Sequence, residues 1–246
     1  MTRRGIFLIA FALLFTVRVF SEDDVSRVLE KIAALNRFSG TYSAMVRIVS
    51  HVPEKADSQI SMKTYVQGLR RVLLIYQAPR KDAGKKVLLR DGKIWFYFPK
   101  AGAAIIMNQL SGLAGTISIG DITMPPLLDY YTFDSASQEK KDGASLHAFS
   151  FKAKGVEAPY GRVVYFYDGD KVVSSESYSR SGILLKRAFF EDYVEGENGS
   201  LYAARIRVES GVSPGTYSLI SLSDLTRRDN FPPRYFTPDG MGSVND

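Results

Sequence analysis

The chain has 246 residues, 45% of them hydrophobic, 24% charged and 12% aromatic, which is enough apolar material for one large domain. It has no Cys, which excludes disulfides, thiol catalysis and cysteine metal sites, and its two His residues, His51 and His147, lie far apart on different predicted strands. The net charge of +6 falls to +3 once Arg3, Arg4 and Arg18 are set aside, and no Lys/Arg block points to nucleic acid.

Arg3 and Arg4 precede the apolar run Ile6 to Val17, and Val19-Phe20-Ser21 offers small residues where a signal peptidase reads. The run is shorter than the roughly 20 residues of a membrane-spanning helix, and Arg18 ends it. The expectation is a signal peptide over 1–21, cleaved after Ser21, and export. A retained membrane anchor is the alternative. With no Cys near the cleavage site, the mature chain is not itself a lipoprotein.

A helix opens the mature chain. Ser21 and Asp24 have capping-box spacing, Glu22 to Asp24 place negative charge at the helix N-terminus, and Val25, Val28, Leu29, Ile32 and Leu35 form one apolar stripe, closed by Gly40. From Thr41 the pattern is almost entirely β. Tyr42, Ala44, Val46 and Ile48 alternate with Ser43, Met45 and Arg47, and Ser58 to Val66 alternates again. Arg71 to Tyr76 is apolar on both faces, as in a strand covered on both sides.

Val87 to Leu89 and Ile94 to Phe98 are joined by Asp91-Gly92, a strong hairpin signal. Ile94, Phe96 and Phe98 point to one face and Trp95 and Tyr97 to the other. A third run spans Ala103 to Leu110. The pattern then changes: Gly112, Ala114, Gly115, Ser118 and Gly120 are interleaved with Leu113, Ile117, Ile119 and Ile122. A segment both apolar and poor in bulk reads as a movable cover lying on an apolar surface. Pro125-Pro126 before LLDYY permits one helical turn, and Ser137 to Lys140 reads as a charged loop.

Six more strand runs follow: Ser145 to Lys152, Arg162 to Tyr167, Val172 to Tyr178, Ile183 to Tyr193, Leu201 to Glu209 and Thr216 to Leu225. The turns between them include Asp168-Gly169, Ser181-Gly182, Asn198-Gly199 and Pro214-Gly215. Short turns make antiparallel neighbours, so the chain reads as one domain over 22–246. Its fold class is mainly β: a single curved antiparallel sheet of about ten or eleven strands, an open, unclosed β-barrel. The helix and the 110–132 segment are the pieces available to cover its inside.

The blocks RVLLIYQAPRKDAGKKVLL, DGKIWFYFP, the small-residue segment ending IGDITM, RVVYFYDGDKVVSSESYSRSGILLKRAFFEDY and RYFTPDGM resemble, in that order, the LolA-like family that sorts outer-membrane lipoproteins. The resemblance covers essentially the whole mature chain. It implies an open β-barrel closed by helices, acyl chains held in a hydrophobic cavity, and no covalent chemistry or cofactor. It also implies a monomeric periplasmic carrier. The expected partners are acylated lipoproteins or lipids, an inner-membrane release machinery and an outer-membrane acceptor, with no nucleic acid. The inward candidates are Tyr42, Val46, Ile48, Ile94, Phe96, Phe98, Ile105 and Met107, and the lid candidates Leu110, Leu113, Ile117, Ile119, Ile122 and Met124. Arg70 and Arg71 are candidates for the arginine that latches the lid in such carriers. The family's Gly-Ser-Asp-aromatic run is here Ile119-Gly120-Asp121-Ile122.

The alternative is a periplasmic lipid- or peptide-sensing domain of the same fold. An enzyme fits less well. Ser137-Gln-Glu-Lys140 matches Ser-x-x-Lys outside a helix start, Asp168-Gly169-Asp170 suits a hairpin as well as a cation, and Asn198-Gly199-Ser200 suits a turn as well as a glycan.

Overall fold

The computed structural model describes residues 21–35, 40–68, 70–123, 126–141, 143–195 and 201–244; residues 1–20 of the expected signal peptide, Met124 and Asn198-Gly199 lie outside them. The helix α1 (Glu22–Leu35) starts as its spacing predicts. The Ser21 backbone N–H donates to Asp24 Oδ2 (3.1 Å) and the Asp24 N–H returns to Ser21 Oγ (3.2 Å). Val28 and Ile32 are buried and Val25 and Leu29 half-buried on one stripe, which lies on the sheet against the strands Val172–Tyr178 and Leu201–Ser210. Among the described residues no helix is long and apolar enough to cross a membrane.

Two meanders make the sheet. The first runs through β1 (Thr41–His51), β2 (Ser58–Gln67), β3 (Arg71–Ala78), β4 (Lys86–Arg90), β5 (Lys93–Phe98) and β6 (Ala103–Met107). The connection then carries β7 (Gly112–Ala114), β8 (Ile117–Ser118), α2 (Ile119–Thr123) and α3 (Leu127–Tyr130). The second meander is β9 (Tyr131–Lys141), β10 (Ala144–Ala153), β11 (Arg162–Tyr167), β12 (Val172–Tyr178), β13 (Leu184–Glu195), β14 (Leu201–Ser210) and β15 (Tyr217–Arg227). Antiparallel pairing of β1 with β15 fuses them into one thirteen-stranded sheet, ordered 6-5-4-3-2-1-15-14-13-12-11-10-9. Its edges, β6 and β9, do not pair with each other, so the curved sheet stays open.

Three expectations change. The main sheet has thirteen strands rather than ten or eleven. The difference includes β9, where the charged loop was expected: Ser137 to Lys140 lie in an edge strand exposed along most of its length. With little to bury, such a strand carries no alternating signal. The run Ala103 to Leu110 ends at Met107, because Asn108 Oδ1 accepts the Leu110 N–H (2.8 Å) and turns the chain off the sheet. The Asp91-Gly92 hairpin stands as read, with positive φ at both residues (50° and 79°), the pairing a type I′ turn requires.

Alternation along β3 divides the molecule's interior. Val72, Leu74 and Tyr76 face the inner side, which also carries the connection, while Leu73 and Ile75 face the outer side. That outer side is covered by the C-terminal segment, whose Phe236, Met241 and Val244 pack on Tyr65, Leu73, Ile75 and Leu88. Trp95 and Tyr97 join this outer cluster and Ile94 and Phe96 the inner one, as the strand period requires. Lys86, buried in the sheet, donates to the Met241 carbonyl (2.7 Å) and sits over the Tyr97 ring. The same burial lowers its pKa.

Candidate functional site: a cavity beneath the connecting segment

β6 and β9 are opposite edges of one sheet, so the chain between them must cross a face. It crosses the inner face. The β7–β8 hairpin dips deepest, at Gly115, which has φ of 52°. A Cβ there would stand 2.4 Å from Ser50 Oγ and 2.6 Å from Ser218 Oγ, so only glycine allows this approach. Ser50 and Ser218 are buried in the central strands β1 and β15 and hydrogen-bond to each other (2.9 Å). The Thr116 N–H donates to Ser218 Oγ (3.1 Å) and Thr116 Oγ1 donates to the Val208 carbonyl (3.0 Å), also 3.0 Å from Ser218 Oγ. These three hydroxyls give the hairpin tip a polar seat in an apolar face.

The next tie holds α2. Ser118 precedes the helix and donates to Asp121 Oδ2 through its N–H (2.8 Å) and its hydroxyl (2.7 Å). The same carboxylate accepts from Lys186 Nζ on β13, and its Oδ1 accepts from the Tyr160 hydroxyl (2.9 Å). Lys186 and Asp121 side chains are 18% and 19% exposed, so the pair is largely desolvated and its geometry matters. Farther on, Arg70 Nη2 donates to Asp129 Oδ1 of α3 (3.0 Å), but there the arginine side chain is 56% exposed.

Beside these ties a cavity of about 310 Å³ remains, at the small end of ligand pockets. Leu29 and Ile32 of α1 form one wall, and Val163, Tyr165, Ala188, Phe190, Ile206 and Val208 form the floor. The connection closes it with Gln109, Ser118, Gly120, Asp121, Leu127 and Tyr130. Burial foremost, then the Asp121 charge, pushes the Tyr160 pKa up, and burial pushes Tyr131 up to about 12. Both hydroxyls therefore remain donors at any ordinary pH. Among the described residues no group of His, Asp or Glu could hold a metal ion. The site offers apolar volume, a few fixed hydrogen-bond groups and a covering segment held by polar contacts.

A family model described only as an uncharacterized protein matches residues 68–243, well over half of the chain. The outer-membrane lipoprotein carrier protein of Legionella pneumophila (strain Paris) is 22% identical over 171 residues, 69% of this chain and 79% of that protein. The chain belongs to the LolA-like family. Solved structures agree on the fold. A LolA superfamily protein from Nitrosomonas europaea superposes with a TM-score of 0.78 at 21% identity, over 87% of this chain and 97% of that one. A DUF1329 family protein from Desulfovibrio piger gives 0.74 at 19%, over 88% and 98%.

Against this LolA-like frame the residues singled out from sequence can be placed. Tyr42, Val46, Ile48 and Ile94 are buried in one cluster with Phe96 and Met107, and Leu113, Ile117, Ile119 and Ile122 of the connection pack into the same cluster. Phe98 stacks obliquely on Phe96 (4.7 Å between ring centres). Ile105 and Leu110 stand half-exposed near the β6 edge, and Met124 lies outside the described residues. Arg70 meets α3, whereas Arg71 opens β3 exposed, opposite Arg90 in the β3–β4 register. The present cavity is lined by another set, from β11, β13, β14 and α1. The same alternation would have found part of it: Val163 and Tyr165, Ala188 and Phe190, Ile206 and Val208 are each two apart. Lys186 and Gln109 gave no sequence signal, because what marks them is a partner distant in the chain.

Proposed function

We propose that the exported chain is a periplasmic carrier that shelters the acyl part of a lipoprotein or lipid in this cavity, with residues 110–128 as its lid. The observation that carries the reading is the crossing itself. The segment that closes the cavity is rich in small residues and rests on the sheet through Ile117, Ile119 and a few polar seats without being a strand of it, so it can lift without dismantling a strand. Lifting it would also bare Ile94, Phe96, Ile48 and Val46, now under Ile117 and Ile119, and enlarge the apolar surface beyond the closed volume. A sixteen-carbon chain resists entering water by on the order of 12 kcal/mol, at about 0.8 kcal/mol per methylene, so crossing an aqueous compartment requires such a shelter. The role involves no covalent step. Arg70–Asp129 and Lys186–Asp121 serve as outer and inner latches. Release at the inner membrane and delivery at the outer one, by partners of the carrier, complete the role.

The test is a reversible lock. Thr116 and Ser218 oxygens already lie 3.0 Å apart, and the chain has no Cys of its own. A Thr116→Cys, Ser218→Cys protein should take up a fluorescent acyl probe when reduced and fail to do so when oxidised. Equal uptake in both states would show that the hairpin is fixed core and that no lid operates.

A further inference from the structure

An antiparallel meander places every second turn at the same end, so the β10–β11, β12–β13 and β14–β15 turns lie side by side at one end of the second meander. Each presents one aliphatic side chain to solvent: Val156 is 85% exposed, Ile183 56% and Val212 61%. The turns are tied to their neighbours. Arg180 of the β12–β13 turn donates to the carbonyls of Gly155 (2.9 Å) and Ala158 (3.2 Å) in the β10–β11 turn. The Gly211 N–H, opening the β14–β15 turn, donates to the Leu185 carbonyl near the start of β13 (2.8 Å). The three tips therefore form one row.

α3 belongs to the same end, because it leads into Tyr131, which pairs with Ala153 at the end of β10. Lys154 fastens the two: its N–H donates to the Tyr130 carbonyl (2.8 Å) and its Nζ to the Leu128 carbonyl (2.6 Å). Leu128 lines the cavity and is also 47% exposed, so the cavity reaches the surface at α3, beside the Val156 turn. Pro159 and Tyr160 of that turn line the cavity as well.

One exposed aliphatic residue needs no explanation, but one on each of three adjacent tips and a fourth at a cavity mouth do. Tips on separate turns do not make the contiguous, close-packed centre of a protein interface. They suit a soft phase that admits each side chain separately, the boundary between lipid headgroups and acyl chains. The charge agrees. Lys154 and Arg180 give hydrogen bonds to carbonyls, and among the described residues neither forms an ion pair; Glu157 is the acidic side chain of the three turns. The β3–β4 and β5–β6 turns, at the same end of the first meander, add Arg80, Lys81 and Lys100, all exposed, against Asp82, which Lys85 pairs; the β1–β2 turn carries both signs. At the opposite end, the β11–β12 turn, Asp168 to Lys171, has no apolar side chain.

We propose that this end of the second meander docks on the surface of an anionic lipid leaflet, with Val156, Ile183, Val212 and Leu128 entering the headgroup boundary and Lys154 and Arg180 meeting lipid phosphates. The cavity mouth then faces the leaflet. The surface stands whether or not the cavity holds an acyl chain, so vesicle binding and acyl-probe uptake are separate readouts and either can fail alone.

The purified mature protein is floated with vesicles of phosphatidylglycerol and phosphatidylethanolamine, or of phosphatidylcholine alone. Binding to the anionic vesicles should be roughly tenfold tighter than to the neutral ones, the share of two or three basic side chains at a charged surface, and should fall as salt is added. Val156→Ser, Ile183→Ser and Val212→Ser together should weaken it by roughly tenfold or more. Acyl-probe uptake in solution should stay as it was, because none of the three lines the cavity. The chain has no Cys, so Val156→Cys and Asp170→Cys can each carry one environment-sensitive dye, one at each end of the sheet. On anionic vesicles the dye at 156 should shift to the blue and the dye at 170 should not. No flotation with either vesicle would overturn the proposal and leave the tips to a protein partner. Equal binding to both compositions would overturn an anionic leaflet as the occupant. Equal dye shifts at 156 and 170, or a triple variant that floats like the wild type, would overturn this end as the docking face.

Discussion

The two meanders of one sheet treat their inner faces differently. Under the hairpin, Val46, Ile48, Leu74, Leu89 and Ile94 of the first meander are sealed by Ile117 and Ile119 into a dry core. Under α1 and the helical part of the connection, α2 and α3, the second meander keeps a cavity between Leu29, Ile32, Phe190 and Ile206. Both faces are built by the same period-2 alternation of apolar residues. The difference lies in what covers them. A hairpin of small residues with Gly115 at its tip follows the sheet closely, whereas a helix is a cylinder about 10 Å wide that touches along one stripe and leaves room at its flank. Where a sheet of this kind holds a ligand is therefore decided by its cover, and the covers come from α1 and the edge-to-edge connection.

The largest expected effect breaks the comparison by exchanging the two behaviours. Leu74 is 1% exposed within the filled half, so Leu74→Ala should cost about 2–5 kcal/mol in denaturant unfolding. Ala188 lines the cavity floor in the other half, where Ala188→Leu has space to enter. It should be near neutral or stabilising by up to about 1 kcal/mol, since it removes void, while acyl-probe uptake is lost. If Ala188→Leu destabilised as much as Leu74→Ala, the second half would be packed core and the contrast between the halves would collapse.

A middle-sized effect sharpens it at the seam. Lys186 stands on the second meander and Asp121 on the cover, so their pair ties the cavity half to the lid. Lys186→Met leaves the Asp121 carboxylate largely buried with only Ser118 and Tyr160 to satisfy it, which should cost about 3 kcal/mol and speed amide exchange over residues 112–123. Adding Asp121→Asn removes the orphaned charge and should recover part of that loss. A double-mutant cycle with no coupling would show that the pair carries no lid energy.

How much of this was legible follows the same division. Where burial is two-sided or strictly alternating, as in Arg71 to Tyr76 and Ile94 to Phe98, the residues announce both the strand and its faces. The capping box at Ser21 and the Asp91-Gly92 turn are equally local, since partners three residues apart or fewer are written side by side. β9 was illegible because its exposed side chains obey no packing period. The cavity wall was legible only in its aliphatic part. Lys186 finds Asp121 across 65 residues, a pairing that no spacing encodes. The outer cover was also hidden: Phe236, Met241 and Val244 are sparse apolar residues among Pro and Gly, and only the sheet beneath them makes them a cluster.

The smallest expected effect concerns the outer latch, and it separates a tie that positions from one that stabilises. Arg70 and Asp129 meet at 3.0 Å, a good hydrogen-bond distance, yet their side chains are 56% and 31% exposed. Water and salt screen such a pair, and holding a long arginine in one rotamer costs entropy, so exposed pairs are worth at most about 1 kcal/mol. Arg70→Ala should therefore leave the unfolding midpoint almost unchanged. The contact nevertheless joins the β2–β3 turn of the filled half to α3, the last element of the lid, and α3 carries Leu127 and Tyr130 into the cavity wall. Losing it should raise the rate of acyl-probe uptake by a factor of a few at low salt, and the difference should shrink as salt is added, because screening already weakens the wild-type pair. Lys186→Met should show no such salt dependence, since its pair lies largely out of water. Should Arg70→Ala change uptake equally at all salt concentrations, the pair does not act through charge, and the outer side of the lid is held by packing of Leu127 and Tyr130 alone.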